Sequence, residues 1–137
     1  MRTPGNEIFI DDRKENEKVL GALNILTSTT ISDENPLARR HALYLLGVTG
    51  DPSYAEIFIR SLYDPEKAVR KQAVMSLAGI GIPVVPKVIP LLNDKDWKVR
   101  YRAAEVLGII KSRDAVRPLV ESLSDEKDHV RYMAAKS

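Results

Sequence analysis

Residues 94–108 read DKDWKVRYRAAEVLG, and this stretch recurs with substitutions along the whole chain. Its Val-Arg dipeptide has four aligned copies, the first of which is Ala-Arg, and the spacing between successive copies is 31, 30 and 31 residues: Ala38-Arg39, Val69-Arg70, Val99-Arg100 and Val130-Arg131. An aspartate stands six residues before each arginine and an alanine three residues after it. Several aligned positions in three or four copies indicate a true repeat.

The apolar residues within each copy have helical spacing. Val99, Ala103, Val106 and Leu107 follow one another at i, i+4, i+7 and i+8, which gives the first helix of a unit one core face. A second apolar run, such as residues 85–92, predicts a second helix. Since two short helices cannot bury their apolar faces alone, the units have to stack. The sequence therefore predicts an all-α fold, an α-solenoid of stacked two-helix repeats.

The ends of the first helices carry recognisable signals. Asp64-Pro65 predicts an N-cap followed by proline at the first helical position, and Asp33, Asp94 and Asp125 are expected to cap in the same way. Glycine at positions 50 and 81, with Lys111 at the equivalent place, marks the helix exits.

The repeat also sets the expected domain organisation. Residues 1–10 are expected to form a flexible N-terminal tail and residues 11–32 a capping helix, with its helical core from Lys14 to Leu26 ended by Thr27-Ser28-Thr29-Thr30. A repeat domain follows over residues 33–137, in units 33–63, 64–93, 94–124 and a partial 125–137. The unfinished last unit suggests either a fragment of a longer array or self-association through this edge.

Composition excludes several classes of protein. The 137 residues are 44% hydrophobic and 29% charged, and 21 basic against 19 acidic residues leave a net charge of only +2. Without cysteine there is no disulfide, thiolate metal site or cysteine nucleophile. The sequence also lacks a recognisable signal peptide and an uninterrupted apolar span, so a cytoplasmic location is expected and a membrane is not.

The repeated pattern resembles the HEAT-repeat superfamily, and its short branch, the PBS-lyase HEAT-like repeats, is the nearest match. Asp94, Val99-Arg100, Ala103 and Leu107-Gly108 carry the resemblance, which covers residues 33–137. It implies a polar ladder between repeats, formed by Asp33, Asp64, Asp94 and Asp125 with Arg39, Arg70, Arg100 and Arg131. The family includes phycobilin lyase subunits, scaffolds and regulatory subunits, so function has to be argued from the surface.

A search for catalytic chemistry gives a negative result. The two histidines, His41 and His129, have no companion at metal-ligand spacing, and no nucleophile with an adjacent base is visible. The glycines at positions 79 and 81 follow a helix and are interpreted as a helix exit. We therefore expect no catalytic residues, no metal and no cofactor.

The outward positions of the second helices suggest a protein-binding surface. Four and eight residues before each aspartate, two units carry charges and the middle unit carries Pro90 and Pro86, which predict a kinked or shortened helix. Trp97 is added because its position is polar or proline in the other copies, and tryptophan is enriched at binding hot spots. The candidate partner-binding residues are Arg60, Pro86, Pro90, Leu91, Trp97, Arg117 and Glu121.

The leading hypothesis is thus a non-catalytic scaffold or adaptor that binds another protein or peptide. One alternative is a nucleic-acid binder, in which basic residues interleaved with tyrosines follow a phosphate backbone. Its candidate residues are Arg40, Lys71, Lys98 and Arg102. A second alternative, implied by the family resemblance, is a lyase-like or regulatory subunit of an enzyme complex.

Overall fold

The computed structural model describes residues 12–137, and all its regular elements are helical. The α-helices are α1 (Asp12–Ser32), α2 (Pro36–Val48), α3 (Ala55–Ser61), α4 (Lys67–Ile80), α5 (Val85–Val88), α6 (Trp97–Ile110), α7 (Val116–Ser122) and α8 (Asp128–Lys136). A short 3₁₀ turn precedes α3, α5 and α7. The predicted tail, residues 1–10, lies outside the described residues.

The helices form two layers. The first helices of the units, α2, α4, α6 and α8, pack in sequence against one another, and α3, α5 and α7 form the second layer. Helix α1 packs on α2 and α3. The predicted α-solenoid of two-helix units is confirmed.

One continuous apolar cluster joins the units. Phe58, Leu46, Leu77, Val88 and Leu107 are essentially inaccessible to solvent and belong to this cluster. Alanine occupies the seams between first helices at residues 73 and 103, where a larger side chain would keep the helices apart. Small aliphatic side chains therefore let neighbouring units stack closely.

The prediction that the repeated aspartates cap the first helices is wrong. The N-cap residues are Asn35, Glu66, Asp96 and Lys127, each two residues after an aspartate. The aspartate Oδ1 instead accepts a hydrogen bond from the backbone N–H two residues later, at 2.8 to 2.9 Å in all four copies. This turn leaves Oδ2 free for another donor, and Pro65 lies before the helix.

Helix α1 also differs from its prediction, because it continues through Thr27–Thr30 to Ser32. The hydroxyls of Thr27, Thr29 and Thr30 donate to carbonyl oxygens four residues earlier, at 2.8 to 2.9 Å. Since these bonds satisfy the hydroxyls within the helix, the poor helix formers do not end it.

The helix exits lie where the sequence places them. Gly50, Gly81 and Lys111 have positive φ angles of 63°, 83° and 58°, and Lys111 adopts the left-handed conformation without being glycine. The expected break in the second helix of unit 64–93 is confirmed: α5 has four residues and continues as a 3₁₀ helix, Ile89–Asn93, that contains Pro90. Proline in a helix interior removes a donor and favours such a break.

Candidate functional site

Consecutive units are joined by a bidentate arginine–aspartate pair at two places. Arg39 donates from Nε and Nη2 to the Asp64 carboxylate at 2.8 and 3.0 Å, and Arg100 donates to Asp125 at the same distances. The Nη1 of each arginine also donates to the backbone carbonyl of the aspartate that opens its own unit. One guanidinium thus fixes a turn within its unit and the start of the next unit.

The Arg39–Asp64 and Arg100–Asp125 pairs, which we call closed steps, are shielded from solvent. The side chains of Arg100 and Asp125 are 10% and 11% exposed. Burial would raise the pKa of Asp125, but hydrogen bonds from Arg100 and from the Lys127 backbone N–H outweigh it, and the pKa is lowered. The ionised carboxylate is therefore the form that the fold stabilises.

The middle step of the predicted ladder is open. Arg70 donates from Nη1 to the backbone carbonyls of Asp64 and Pro65, but Asp94 accepts instead from the Tyr63 hydroxyl, at 2.5 Å. Among the described residues, Arg70 Nε is the single buried side-chain nitrogen or oxygen without a hydrogen-bond partner. The predicted Arg70–Asp94 rung is thus not formed.

A pocket opens beside Arg70 in the first-helix layer. It encloses about 280 Å³, and it is lined by Lys67, Arg70, Trp97, Lys98, Tyr101, Arg102 and His129. We call it the Trp97 pocket. None of these seven residues is acidic, so the lining is basic and aromatic. Such a lining favours an anion that carries apolar surface.

Several rings in the Trp97 pocket are held in place by neighbours. The Trp97 and His129 rings have centroids 5.1 Å apart, and the Lys127 ammonium lies 4.5 Å from the Trp97 centroid. The Arg102 guanidinium lies 5.1 Å from the Tyr101 centroid. These contacts fix the aromatic walls and bring further positive charge close to them.

Arg102, a candidate residue of the nucleic-acid alternative, is largely buried. Arg102 is only 7% exposed, and its Nη1 donates to Glu105 Oε2 at 2.8 Å. Arg40 and Lys71 are exposed and line a separate groove of about 350 Å³, whose lining also includes Glu105. A carboxylate thus lies among the basic residues that were expected to follow a phosphate backbone.

The outward positions of α3, α5, the 3₁₀ helix that continues α5, and α7 form what we call the second-helix surface. It carries the other candidate partner-binding residues. Arg60, Pro86, Pro90, Arg117 and Glu121 are exposed, and Leu91 is half-buried. The Arg117 and Glu121 side chains approach each other to 3.9 Å on α7. Trp97 lies in the first-helix layer, so the structure separates it from this set.

Neither metal ligation nor a membrane span emerges from the described part of the chain. Within residues 12–137, no three His, Asp or Glu side chains are grouped as metal ligands. In the same range no single helix is long and apolar enough to cross a bilayer; Lys67–Ile80 and Ile82–Asn93 meet the length and composition requirements only as a pair bent by 112°.

Comparison with known proteins places the chain in a family. The family described as HEAT repeats matches residues 23–92 and 85–137. The chain belongs to the HEAT-repeat family. The Phycocyanobilin lyase subunit alpha of Synechococcus elongatus is 37% identical over 68 residues, which are 49% of this chain and 24% of that protein. The match thus spans about a quarter of this relative's length.

Two solved HEAT-like structures share the fold. YibA of E. coli superposes with a TM-score of 0.52 and 24% identity, over 95% of this chain and 48% of that chain. The complex of CpcE and CpcF of phycocyanin lyase from a Nostoc species gives a TM-score of 0.58 and 19% identity, over 91% of this chain and 89% of that chain. The architecture is therefore shared at low sequence identity.

Sequence reasoning missed the Trp97 pocket as a unit. It assigned Arg70 to the HEAT ladder and Trp97 to a partner surface, and it did not pair Trp97 with His129 or Lys67. A signal was available: Arg39–Asp64 and Arg100–Asp125 are 25 residues apart, whereas Arg70 and Asp94 are 24 apart. The shorter spacing is visible without a structure.

Proposed function

We propose that the chain is a non-catalytic protein-binding HEAT module that acts as a subunit of a larger assembly. The observation that carries this proposal is the second-helix surface, where the exposed Pro86 and Pro90 lie between charged residues of α3 and α7. The broken α5 places two rigid apolar rings at the centre of this surface.

This surface combines apolar area with flanking charge. Lys87 reaches from α5 to Glu56 on α3 at 3.0 Å, which links units 33–63 and 64–93, and Arg117 and Glu121 lie on α7. Proline rings lose little conformational entropy when they are buried, because they are already fixed. An apolar centre with a charged rim is the usual composition of a protein interface.

The relatives support a subunit role. One is named as the alpha subunit of phycocyanobilin lyase, and one structural neighbour was solved as a complex of two proteins, CpcE and CpcF. These two relatives act beside other chains, and we infer the same for this one. The non-catalytic assignment rests on the negative result of the search for catalytic residues.

The test is partner capture from an extract of the native cell, followed by identification of bound chains. Arg117→Glu, on the second-helix surface, is expected to lower capture at least about tenfold, because it reverses a charge at the rim. Lys71→Glu makes the same charge change in the first-helix layer and is expected to capture normally. Equal capture by wild type and Arg117→Glu would contradict the proposed surface.

The same pair of variants addresses nucleic-acid binding. If Lys71→Glu lost a captured nucleic acid and Arg117→Glu retained it, the result would favour the nucleic-acid-binding alternative. Such binding would also weaken steeply as salt is raised. We expect neither result, because Glu105 interrupts the basic residues.

A lyase-like subunit is the second candidate function. The 37% identity over 68 residues to a phycocyanobilin lyase subunit is the observation that favours it. Its test is to mix the purified chain with phycocyanobilin and to record the visible absorption spectrum and the elution of pigment with protein. A spectral change with co-elution would support this candidate, and free pigment at every protein concentration would contradict it.

A further inference from the structure

Arg70 makes the same Nη1 hydrogen bonds to backbone carbonyls as Arg39 and Arg100 but lacks the carboxylate that these two arginines bind. In Arg39 and Arg100, the Nε and Nη2 edge holds both oxygens of an aspartate from the next unit. In Arg70, both hydrogen bonds leave from Nη1, and Nε is buried without a partner. A buried donor without an acceptor is costly, so this edge is predisposed to bind an anion.

The surroundings of Arg70 increase this preference. Lys67 and Lys98 also line the Trp97 pocket, and the Lys127 ammonium lies over the Trp97 ring. Arg102 is neutralised by Glu105, but no acidic residue lines the pocket near the other cations. The Asp128 carboxylate lies outside the lining, 2.9 Å from His129 Nδ1, so the pocket keeps a net positive lining beside an unsatisfied arginine edge.

We propose that the Trp97 pocket binds a side-chain carboxylate of an acidic segment in a partner protein, with Arg70 as its bidentate donor. The proposal rests on the proposed protein-binding function and adds a second contact surface, in the first-helix layer. The fold itself supplies the template, because the equivalent edges of Arg39 and Arg100 bind aspartate in planar, two-bond geometry.

The aromatic walls define what accompanies the carboxylate. Trp97, Tyr101 and His129 offer ring surface next to the arginine, so the methylenes of a glutamate or an adjacent apolar side chain can pack there. A nucleic-acid phosphate is less well matched, because the Glu105 carboxylate lies among the basic residues, Arg40 and Lys71, that line the next groove of this layer.

The test uses small defined probes and the folded chain. N-acetyl-glutamate amide carries the proposed carboxylate, and N-acetyl-glutamine amide is its uncharged isostere; inorganic phosphate and a dT12 oligonucleotide represent the competing chemistry. Trp97 is the only tryptophan, so its fluorescence reports occupancy of the pocket. The ¹⁵N–¹H resonance of Arg70 Nε reports the new hydrogen bond.

We expect the glutamate probe to bind in the millimolar range, to shift the Arg70 Nε resonance downfield and to bind at least about tenfold more tightly than the glutamine probe. Arg70→Gln should abolish this preference. Arg70→Lys keeps the charge but not the two-donor edge, and it should lose most of the preference. Circular dichroism of both variants checks that they fold.

Arg131→Gln is the matched control. Arg131 occupies the equivalent repeat position and also donates from Nη1 to two backbone carbonyls, but it does not line the pocket. Equal binding of the two amino-acid probes, or equal loss in Arg70→Gln and Arg131→Gln, would overturn the proposal. Tighter binding of dT12 or phosphate than of the glutamate probe would overturn it in favour of a phosphate ligand. Neither the Trp97 fluorescence nor the Arg70 Nε resonance involves the second-helix surface. The result of the probe experiment is therefore independent of the result of partner capture.

Discussion

Units 64–93 and 94–124 have the same repeat positions but differ in how each joins the next unit. Unit 94–124 ends on the bidentate pair of Arg100 with Asp125, whereas unit 64–93 ends on an open step, with Arg70 unpaired and Asp94 bound to Tyr63. An arginine and an aspartate at the repeated positions are therefore not sufficient to form the ladder.

The two units differ in length at a single turn. In unit 94–124, Lys111 ends the first helix and Ser112 caps the next turn by accepting from the Asp114 backbone N–H. In unit 64–93, Gly81 performs both tasks and supplies no capping side chain. The chain from arginine to the next aspartate is one residue shorter, up to about 3.5 Å, which is more than a bidentate pair tolerates.

The largest expected effect on stability comes from breaking the bidentate Arg100–Asp125 pair. Asp125→Asn keeps the Oδ1 acceptor of its turn but leaves the buried Arg100 with only the exposed Glu126 carboxylate, 3.7 Å away, so we expect a loss of about 3 kcal/mol in the free energy of unfolding. Asp94→Asn, the same change at the open step, should cost less than about 1 kcal/mol. Urea unfolding measures both, and equal losses would refute the comparison.

The closed step should also be sensitive to acid. The pKa of Asp125 is lowered in the fold, so the unfolded chain binds more protons at low pH. The stability that this carboxylate contributes is fully present above the unfolded pKa of about 3.9 and is lost as pH falls through the lower folded value. The difference in unfolding free energy between wild type and Asp125→Asn should therefore shrink below about pH 4. A difference that is constant from pH 7 to pH 2.5 would contradict this.

The comparison also explains what the sequence could predict. The all-α stack, the helix exits at Gly50, Gly81 and Lys111 and the break at Pro90 follow from period and local backbone chemistry, which act over a few residues. The role of the aspartates was misassigned, because an Asx turn and an N-cap use the same residue type and differ by two positions. The Trp97 pocket depends on which carboxylate reaches Arg70, and the shorter spacing does not show by itself that Asp94 accepts from Tyr63 instead.

Restoring the missing residue should close the open step. A serine inserted between Gly81 and Ile82 recreates the capping position of Ser112 and the 31-residue spacing. We expect a gain of about 1 kcal/mol from the cap, pairing of Asp94 with Arg70 and loss of glutamate-probe binding. Insertion of a serine between Asp51 and Pro52, where the spacing is already complete, is the control and should destabilise. An unchanged Arg70 Nε resonance after the first insertion would contradict the spacing argument.

A smaller effect on the unfolding free energy is expected at the C-terminal ends of the first helices. Lys111 has a φ of 58°, a conformation that costs a non-glycine residue about 1 kcal/mol. Lys111→Gly, which makes this exit resemble that of unit 64–93, should raise the unfolding free energy by up to about 1 kcal/mol, reduced by the greater freedom of glycine in the unfolded chain. Lys95→Gly removes a lysine from an exposed loop and serves as the control, with no gain expected.

The smallest expected effect comes from Tyr63→Phe. It distinguishes two candidate causes of the missing Arg70–Asp94 pair: the shorter turn at Gly81 and the hydrogen bond from Tyr63 to Asp94. Partial desolvation of Tyr63, which is 48% exposed, followed by the hydrogen bond to Asp94, raises its pKa to about 12. The neutral phenol is thus stabilised below pH 10, and this contribution is lost as pH rises from about 10 to 12. Tyr63→Phe should remove one tyrosine titrating near pH 12 from the 295 nm absorbance and cost about 1 kcal/mol or less.

If the short turn keeps Asp94 away, Arg70 stays unpaired after Tyr63→Phe and its Nε resonance does not move. A downfield shift in Tyr63→Phe would instead identify the tyrosine as the group that holds the carboxylate away from Arg70. In that case binding of the glutamate probe should fall, because Asp94 would occupy the edge of Arg70 that the probe needs. The spacing argument requires the first result, since the chain between Arg70 and Asp94 is one residue shorter whether or not Tyr63 donates.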